Sequence, residues 1–315
     1  MHRKEFSESW ESRRIKRLFY GPTELRAGWR LLIFIAIALA LLTVKDLIFA
    51  KAMHEVDKYT VFAIGDAVAF LVFLVASWIM AKLEGRRIAD YGLPWQKMFG
   101  RQFWQGTVLG FGSITALLAC LRIAGVFKFG APAVHGAEIW KWAAFYCFLF
   151  LAVGFKEEFQ YRGYAQFTLS TGIGWWPAAL AWSLLFGFSH ANKSGETIMG
   201  LFNATLFGLL SCVALRRTGT LWLMVGLHAA FDWGETYFYG VADSGQTLPG
   251  HLLESSFSGP AWLTGGSVGP EGSWICTLLL VTLGLILAAW FRENKYPNPE
   301  TTSEPAVALP EQKKC

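Results

Sequence analysis

Charge is scarce in this chain. Only 16% of its 315 residues are Asp, Glu, Lys or Arg, while 54% are hydrophobic, against roughly 25% charged residues in an average soluble domain. That balance cannot coat a soluble globule, so one membrane domain is a simpler expectation than two soluble ones. Cysteine is scarce as well. The five residues Cys120, Cys147, Cys212, Cys276 and Cys315 are odd in number and lack CxxC spacing, which removes a disulfide framework and a zinc signature. No repeat of 20–50 residues is evident, which removes solenoids and propellers. A net charge of +5 does not point to nucleic acid, because the positive residues flank apolar segments instead of forming an aromatic-interleaved soluble patch.

What the chain does have is length without charge. Apolar runs occur at about 29–50, 61–83, 103–125, 139–168, 175–190, 197–215, 220–239 and 273–291, several close to the ~20 residues that cross a ~30 Å hydrocarbon layer. The expected fold is therefore all-α, a polytopic integral membrane bundle of about eight transmembrane helices. Residues 1–28 read as a cytoplasmic interfacial N-terminus, 29–291 as the membrane domain, and 292–315, with four prolines, as a disordered cytoplasmic tail. Eight Lys and Arg lie in residues 1–30, five in 82–101, two at 216–217 and four after 291, whereas the Gly-rich stretch 240–272 has none. With eight spans, the positive-inside rule puts both termini in the cytoplasm and 240–272 outside. Fifteen Trp and nine Tyr suit membrane interfaces.

The fourth run contains Lys156-Glu157-Glu158 and, one turn on, Arg162. An ionised residue at mid-membrane costs roughly 2.5–3.5 kcal/mol on translocon-type scales, so such residues usually face protein or water and mark function. On a helix Glu158 and Arg162 lie about 40° apart and can pair, whereas Glu157 points about 100° away. The alternative is that both glutamates only neutralise Lys156 and Arg162. The fifth run ends in Phe186-Gly-Phe-Ser189-His190, and the seventh carries His228 and Asp232 at i, i+4. Each alone also fits a satisfied core residue. Three helices bearing acid or imidazole suggest one shared cavity.

Taken in order, these residues resemble the CPBP intramembrane proteases, which include the eukaryotic CAAX prenyl endopeptidase and bacterial bacteriocin-processing or immunity proteins. Glu157-Glu158-x-x-x-Arg162 matches EExxxR, Phe186-x-x-x-His190 matches FxxxH, and His228-x-x-x-Asp232 matches HxxxN/D. The resemblance covers about 139–240. It implies an intramembrane glutamic-type endopeptidase without a covalent intermediate: Glu157 as general base, activating water with His190, and His228 with Asp232 at the oxyanion. Glu158, Arg162 and Phe186 would then support the site. Asp232 departs from the Asn typical of the prenyl endopeptidases, and an ionised Asp cannot donate to an oxyanion.

The implied partners are membrane lipid and a peptide or protein substrate, with no nucleic acid, no cofactor and no metal. A zinc site of Glu157, His190 and His228 is the rival, but HExxH is absent. A serine route through Ser189 lacks geometry, because sequence neighbours on a helix face about 100° apart. An aspartyl route would need a second aspartate in a facing helix. The non-enzyme alternative is an immunity, scaffolding or transport protein, although inverted repeats and broken helices are not evident.

Overall fold

A chain in hydrocarbon must satisfy its own N–H and C=O groups, so long proline-free apolar runs close into helices. The computed structural model describes residues 18–21, 24–193 and 195–297, which hold most of the membrane domain. Its helices are α1 (Ala27–Ala52), α2 (Lys58–Leu83), α3 (Arg101–Ile123), α4 (Ala137–Arg162), α5 (Tyr164–Ile173), α6 (Trp175–Ser189), α7 (Ile198–Thr218), α8 (Trp222–Asp232) and α9 (Trp274–Trp290). The chain is an all-α polytopic bundle. Side-chain caps start three helices: Asp57 accepts from Tyr59 and Thr60 ahead of α2, Thr197 from Gly200 ahead of α7, and Ser273 from Cys276 ahead of α9. Each supplies a partner for otherwise orphaned N–H groups.

Among the described residues, five segments are long and apolar enough to cross a membrane: α1, α2, α3, the α4–α5 unit Ala137–Ile173, and α7. These five do not confirm the expected count of eight. The runs at 175–190, 220–239 and 273–291 do form helices, but α6 has 15 residues, α9 has 17, and α8 has 11 before it runs on into the π-helical Trp233–Phe238. At 1.5 Å per residue, all are short for a ~30 Å layer. The fourth run is also divided: the chain turns at Gly163 from α4 into α5, a turn that needs glycine because a side chain there would overlap the Phe159 carbonyl and ring.

The core sits around α8. Nearly every residue of this helix is buried, as expected of a helix that is apolar all round. It packs on α3, α4 and α7. Glycines permit the closest crossing: a Cβ at Gly106 or Gly110 of α3 would overlap the carbonyls of Leu223 or Leu227, and one at Gly226 would overlap that of Phe103. Small residues let membrane helices approach backbone to backbone. The peripheral helices instead turn leucine outward, including Leu39 and Leu47 of α1, Leu71 of α2, Leu184 of α6 and Leu285 of α9. Such a surface suits lipid.

Between α8 and α9 the 240–272 stretch is more than a connecting loop. Ser256–Phe257 pairs antiparallel with Phe127–Lys128, Leu252 donates its N–H to Tyr237 and Gly245 to Val268, so the loop folds back onto the helix ends. The first residues of the expected disordered tail are packed: Tyr296 is buried, its hydroxyl donates to the Asp90 carbonyl, and the Lys295 N–H reaches the Arg216 carbonyl. Residues 298–315 and most of the expected N-terminal segment lie outside the described residues.

Candidate active site

The charged end of α4 faces two ways. Glu158 and Arg162 are both fully buried, with Nη1 and Oε1 3.8 Å apart one helical turn from each other. Glu158 also takes a hydrogen bond from Ser211 at 3.4 Å and lies 3.0 Å from Nδ1 of His228. Glu157 points elsewhere. Its Oε1 is 3.2 Å from Lys156, and its Oε2 is 3.8 Å from Nε2 of His228. The two directions follow from the ~100° step between helical neighbours. Lys156 in turn donates to both oxygens of Asp66 on α2, at 3.1 and 3.0 Å. Asp66 thus shares the cation that would otherwise be committed to Glu157.

His190 closes α6 as its C-cap residue. Its Nδ1 lies 2.8 Å from the Phe186 carbonyl, and a carbonyl can only accept, so this bond assigns the proton of the neutral ring to Nδ1 and leaves the Nε2 lone pair free. Phe186 links this imidazole to the buried pair behind it. Its ring meets His190 edge-on at 4.9 Å, and the Arg162 guanidinium stands 4.4 Å from its centroid, within cation–π range. Ser189 spends its hydroxyl proton on the same Phe186 carbonyl at 2.7 Å. Nδ1 of His190 is not a base for Ser189, and the serine dyad has no support.

His228 is buried on α8 with its ring 4.8 Å from Phe207. Carboxylates face both of its nitrogens: Glu158 at Nδ1, and at Nε2 both Glu157 and Asp232, the latter at 3.5 Å. A cavity of about 200 Å³ brings the expected residues together. Glu157, His190, His228, Asp232 and Phe186 line it, and Glu158 and Arg162 stand behind its wall.

Several lining residues were not anticipated from sequence. Asp66 comes from α2, Lys193 from the turn after α6, and Asp243, Ser244 and Glu271 from the folded-back loop. Ser244 donates from both its N–H and its hydroxyl to Glu271 Oε2, at 3.0 and 3.1 Å. Burial raises both loop carboxyls, helped by repulsion from Asp243 at Glu271, which rises to about 7, and from Glu157 at Asp243, while Lys193 partly offsets the rise. No dense ligand set is legible in the linear sequence, yet the fold assembles one. Carboxylate oxygens of Asp232, Glu235 and Glu271 all lie within 4.8 Å of one another.

Comparison with known families supports the motif reading. Residues 139–234, just under a third of the chain, match the family described as Type II CAAX prenyl endopeptidase Rce1-like. That interval holds all three motifs, from Glu157 to Asp232. No curated protein matches the chain, and no solved structure does.

Proposed function

We propose that this protein is an intramembrane endopeptidase of the CAAX-protease type that cleaves a peptide bond with water activated by Glu157 and His190. One observation carries the reading: Glu157, His190 and His228, from three different helices, line one cavity inside a membrane bundle, in the interval that matches the prenyl endopeptidase family. In the proposed step a water held between Glu157 and the free Nε2 of His190 loses a proton to Glu157 as its oxygen attacks the scissile carbonyl. The oxyanion that forms is supported by His228, which Asp232 orients. When the C–N bond breaks, the proton held by Glu157 passes to the departing amine. No side chain is acylated, so the enzyme returns to its starting state after one water is consumed.

Glu158, Arg162 and Phe186 act by position. Glu158 holds Nδ1 of His228, and Arg162 packs on Phe186, which sets His190. The substrate is a membrane-associated peptide or protein segment that reaches the cavity among lipid-facing helices. We also place both termini in the cytoplasm of a bacterial cell, so reporters fused at positions 250 and 305 are expected on opposite sides of the membrane. The decisive experiment compares membranes carrying wild-type protein with membranes carrying Glu157→Gln at equal expression. Peptide fragments that appear only with wild type support proteolysis; identical fragment sets would overturn it.

A further inference from the structure

Behind Asp232 the helix widens into a π-helical stretch, Trp233–Phe238, a deviation often found at functional sites. It carries Glu235 beside Asp232, and the returning loop brings Glu271 to the same point. We propose that Asp232, Glu235 and Glu271 bind a hard divalent cation of the Ca²⁺ or Mg²⁺ class. The site shares Asp232 and Glu271 with the cavity wall but uses neither Glu157 nor His190, the residues proposed to hold the attacking water.

The spacing and donor type define that class. Ligands 2.3–2.6 Å from a Ca²⁺ ion can stand up to about 4.6–5.2 Å apart, and ligands of Mg²⁺ up to about 4.2 Å. Three oxygens spaced evenly around one ion stand at most √3 times the ligand distance apart, about 4.0–4.5 Å for Ca²⁺ and about 3.5–3.6 Å for Mg²⁺, so oxygens within 4.8 Å of one another reach Ca²⁺ with a small contraction and Mg²⁺ only with a larger one. An all-carboxylate set with no imidazole or thiolate favours a hard ion over zinc or copper.

An independent observation shows that the cluster is incomplete by itself. Glu235 is fully buried, and neither of its carboxylate oxygens has a hydrogen-bond partner among the described residues. Buried carboxylates are ordinarily paired, hydrogen-bonded or bound to metal. Among the described residues no Lys, Arg or His stands at ion-pair distance from Glu235 or Glu271, and Asp232 has only His228; the Lys193 charge acts on Glu271 from beyond that distance. Two other polar neighbours are committed elsewhere. Thr236 gives its hydroxyl to Asp243, and Asn203 donates to the backbone carbonyls of Glu271 and Ser273. Asn203 and Ser244 thus fix Glu271 in place from both its backbone and its side chain. An ion bound here would tie the loop to α8 and hold Asp232 against His228.

The test uses full-length protein in detergent, stripped with chelator and then titrated with CaCl₂ or MgCl₂ in the absence of substrate. Equilibrium dialysis is expected to show one saturable equivalent of Ca²⁺, with thermal unfolding moving to higher temperature as the site fills. Mg²⁺ is expected to compete at higher concentration. Glu235→Gln and Glu271→Gln should each weaken binding by at least tenfold. Should Glu235→Gln fail to fold, the half-buried Glu271 and the wild-type titration still decide the matter. Absence of saturable binding of either ion up to about 10 mM, above the weakest ordinary Ca²⁺ sites, would overturn the proposal, as would unchanged affinity in Glu271→Gln. Because binding is read without peptide, its failure leaves the protease reading standing, and loss of proteolysis in Glu157→Gln says nothing about the ion.

Discussion

Two groups of carboxylates share the interior of this bundle, and they differ in what stands opposite them. In the first, Asp66 and Glu157 meet Lys156, Glu158 meets Arg162, and His228 joins both glutamates. In the second, Asp232, Glu235 and Glu271 meet one another, with serine donors on Glu271 and only His228 beside Asp232. Low-dielectric surroundings magnify pairing and its absence alike. A paired group can keep its shape and present one carboxylate to substrate. An unpaired group is stable only when something else supplies positive charge or protons. The contrast separates the proposed catalytic end of His228 from the proposed cation end.

The sharpest way to break the comparison is Glu157→Gln, which keeps the shape of the side chain but removes the base. Activity is expected to fall roughly 10²–10⁴-fold, with little change in thermal unfolding, because Lys156 retains Asp66. Peptide cleavage and unfolding of the same purified preparation measure both. Cleavage within tenfold of wild type would move the base to another residue.

Glu158→Gln should show the opposite pattern in stability. It leaves Arg162 buried without its carboxylate, and breaking a buried pair from one side costs about 3–5 kcal/mol. Denaturant unfolding in mixed micelles is the measurement. Equal destabilisation by Glu157→Gln and Glu158→Gln would erase the distinction between the cavity-facing and the buried glutamate.

How much of this was legible before folding depends on where each group lies along the chain. Glu157, Glu158 and Arg162 occupy one helix, so the 3.6-residue period alone predicts which pair meets; His190 and His228 announce themselves as imidazoles in apolar runs. The second group had weaker signals. Asp66 and Glu235 are acids inside the 61–83 and 220–239 runs, and the cost of burying charge marks both, but neither belongs to a recognised motif. Asp243 and Glu271 sit in a Gly-rich stretch without periodicity, and only long-range pairing such as Ser256–Phe257 with Phe127–Lys128 brings that stretch back. The 175–190 run is already the shortest in the sequence, whereas the division at Gly163 and the place of α8 are not legible there. Hydropathy records burial but does not separate lipid from protein, so it does not show that α8 is enclosed by other helices at the centre of the bundle.

A change outside both groups, on the helix that carries a member of each, tests whether α8 holds them together. Gly226→Ala would drive a methyl group into the Phe103 carbonyl at the α3–α8 crossing, and overpacking of this kind costs about 1–3 kcal/mol. Because α8 carries both His228 and Asp232, activity should drop along with stability, whereas Gly112→Ala on α3, where an added Cβ meets open space, should leave both unchanged. Unfolding and cleavage assays on the two variants supply the check. Equal behaviour would mean that the close crossing does not position the site.

The smallest expected effect belongs to the residue that stands between the two groups. Asp232 lies 3.5 Å from Nε2 of His228 on one side and within the carboxylate cluster on the other. Asp232→Asn keeps the size of the side chain and an oxygen that can accept from His228, and it adds an N–H donor on the side where an oxyanion would form. It removes one negative charge from the cluster. Catalysis should therefore change by less than tenfold, within about 1.4 kcal/mol of the barrier, while Asp232→Ala, which removes acceptor and donor together, should lose more. If Asp232 serves the cluster as proposed, Asn should also weaken Ca²⁺ binding in chelator-stripped protein although cleavage is nearly retained. Steady-state cleavage and equilibrium dialysis on one preparation separate the two roles. Loss of cleavage as deep as in Glu157→Gln would instead place the ionised carboxylate itself in the hydrolytic step.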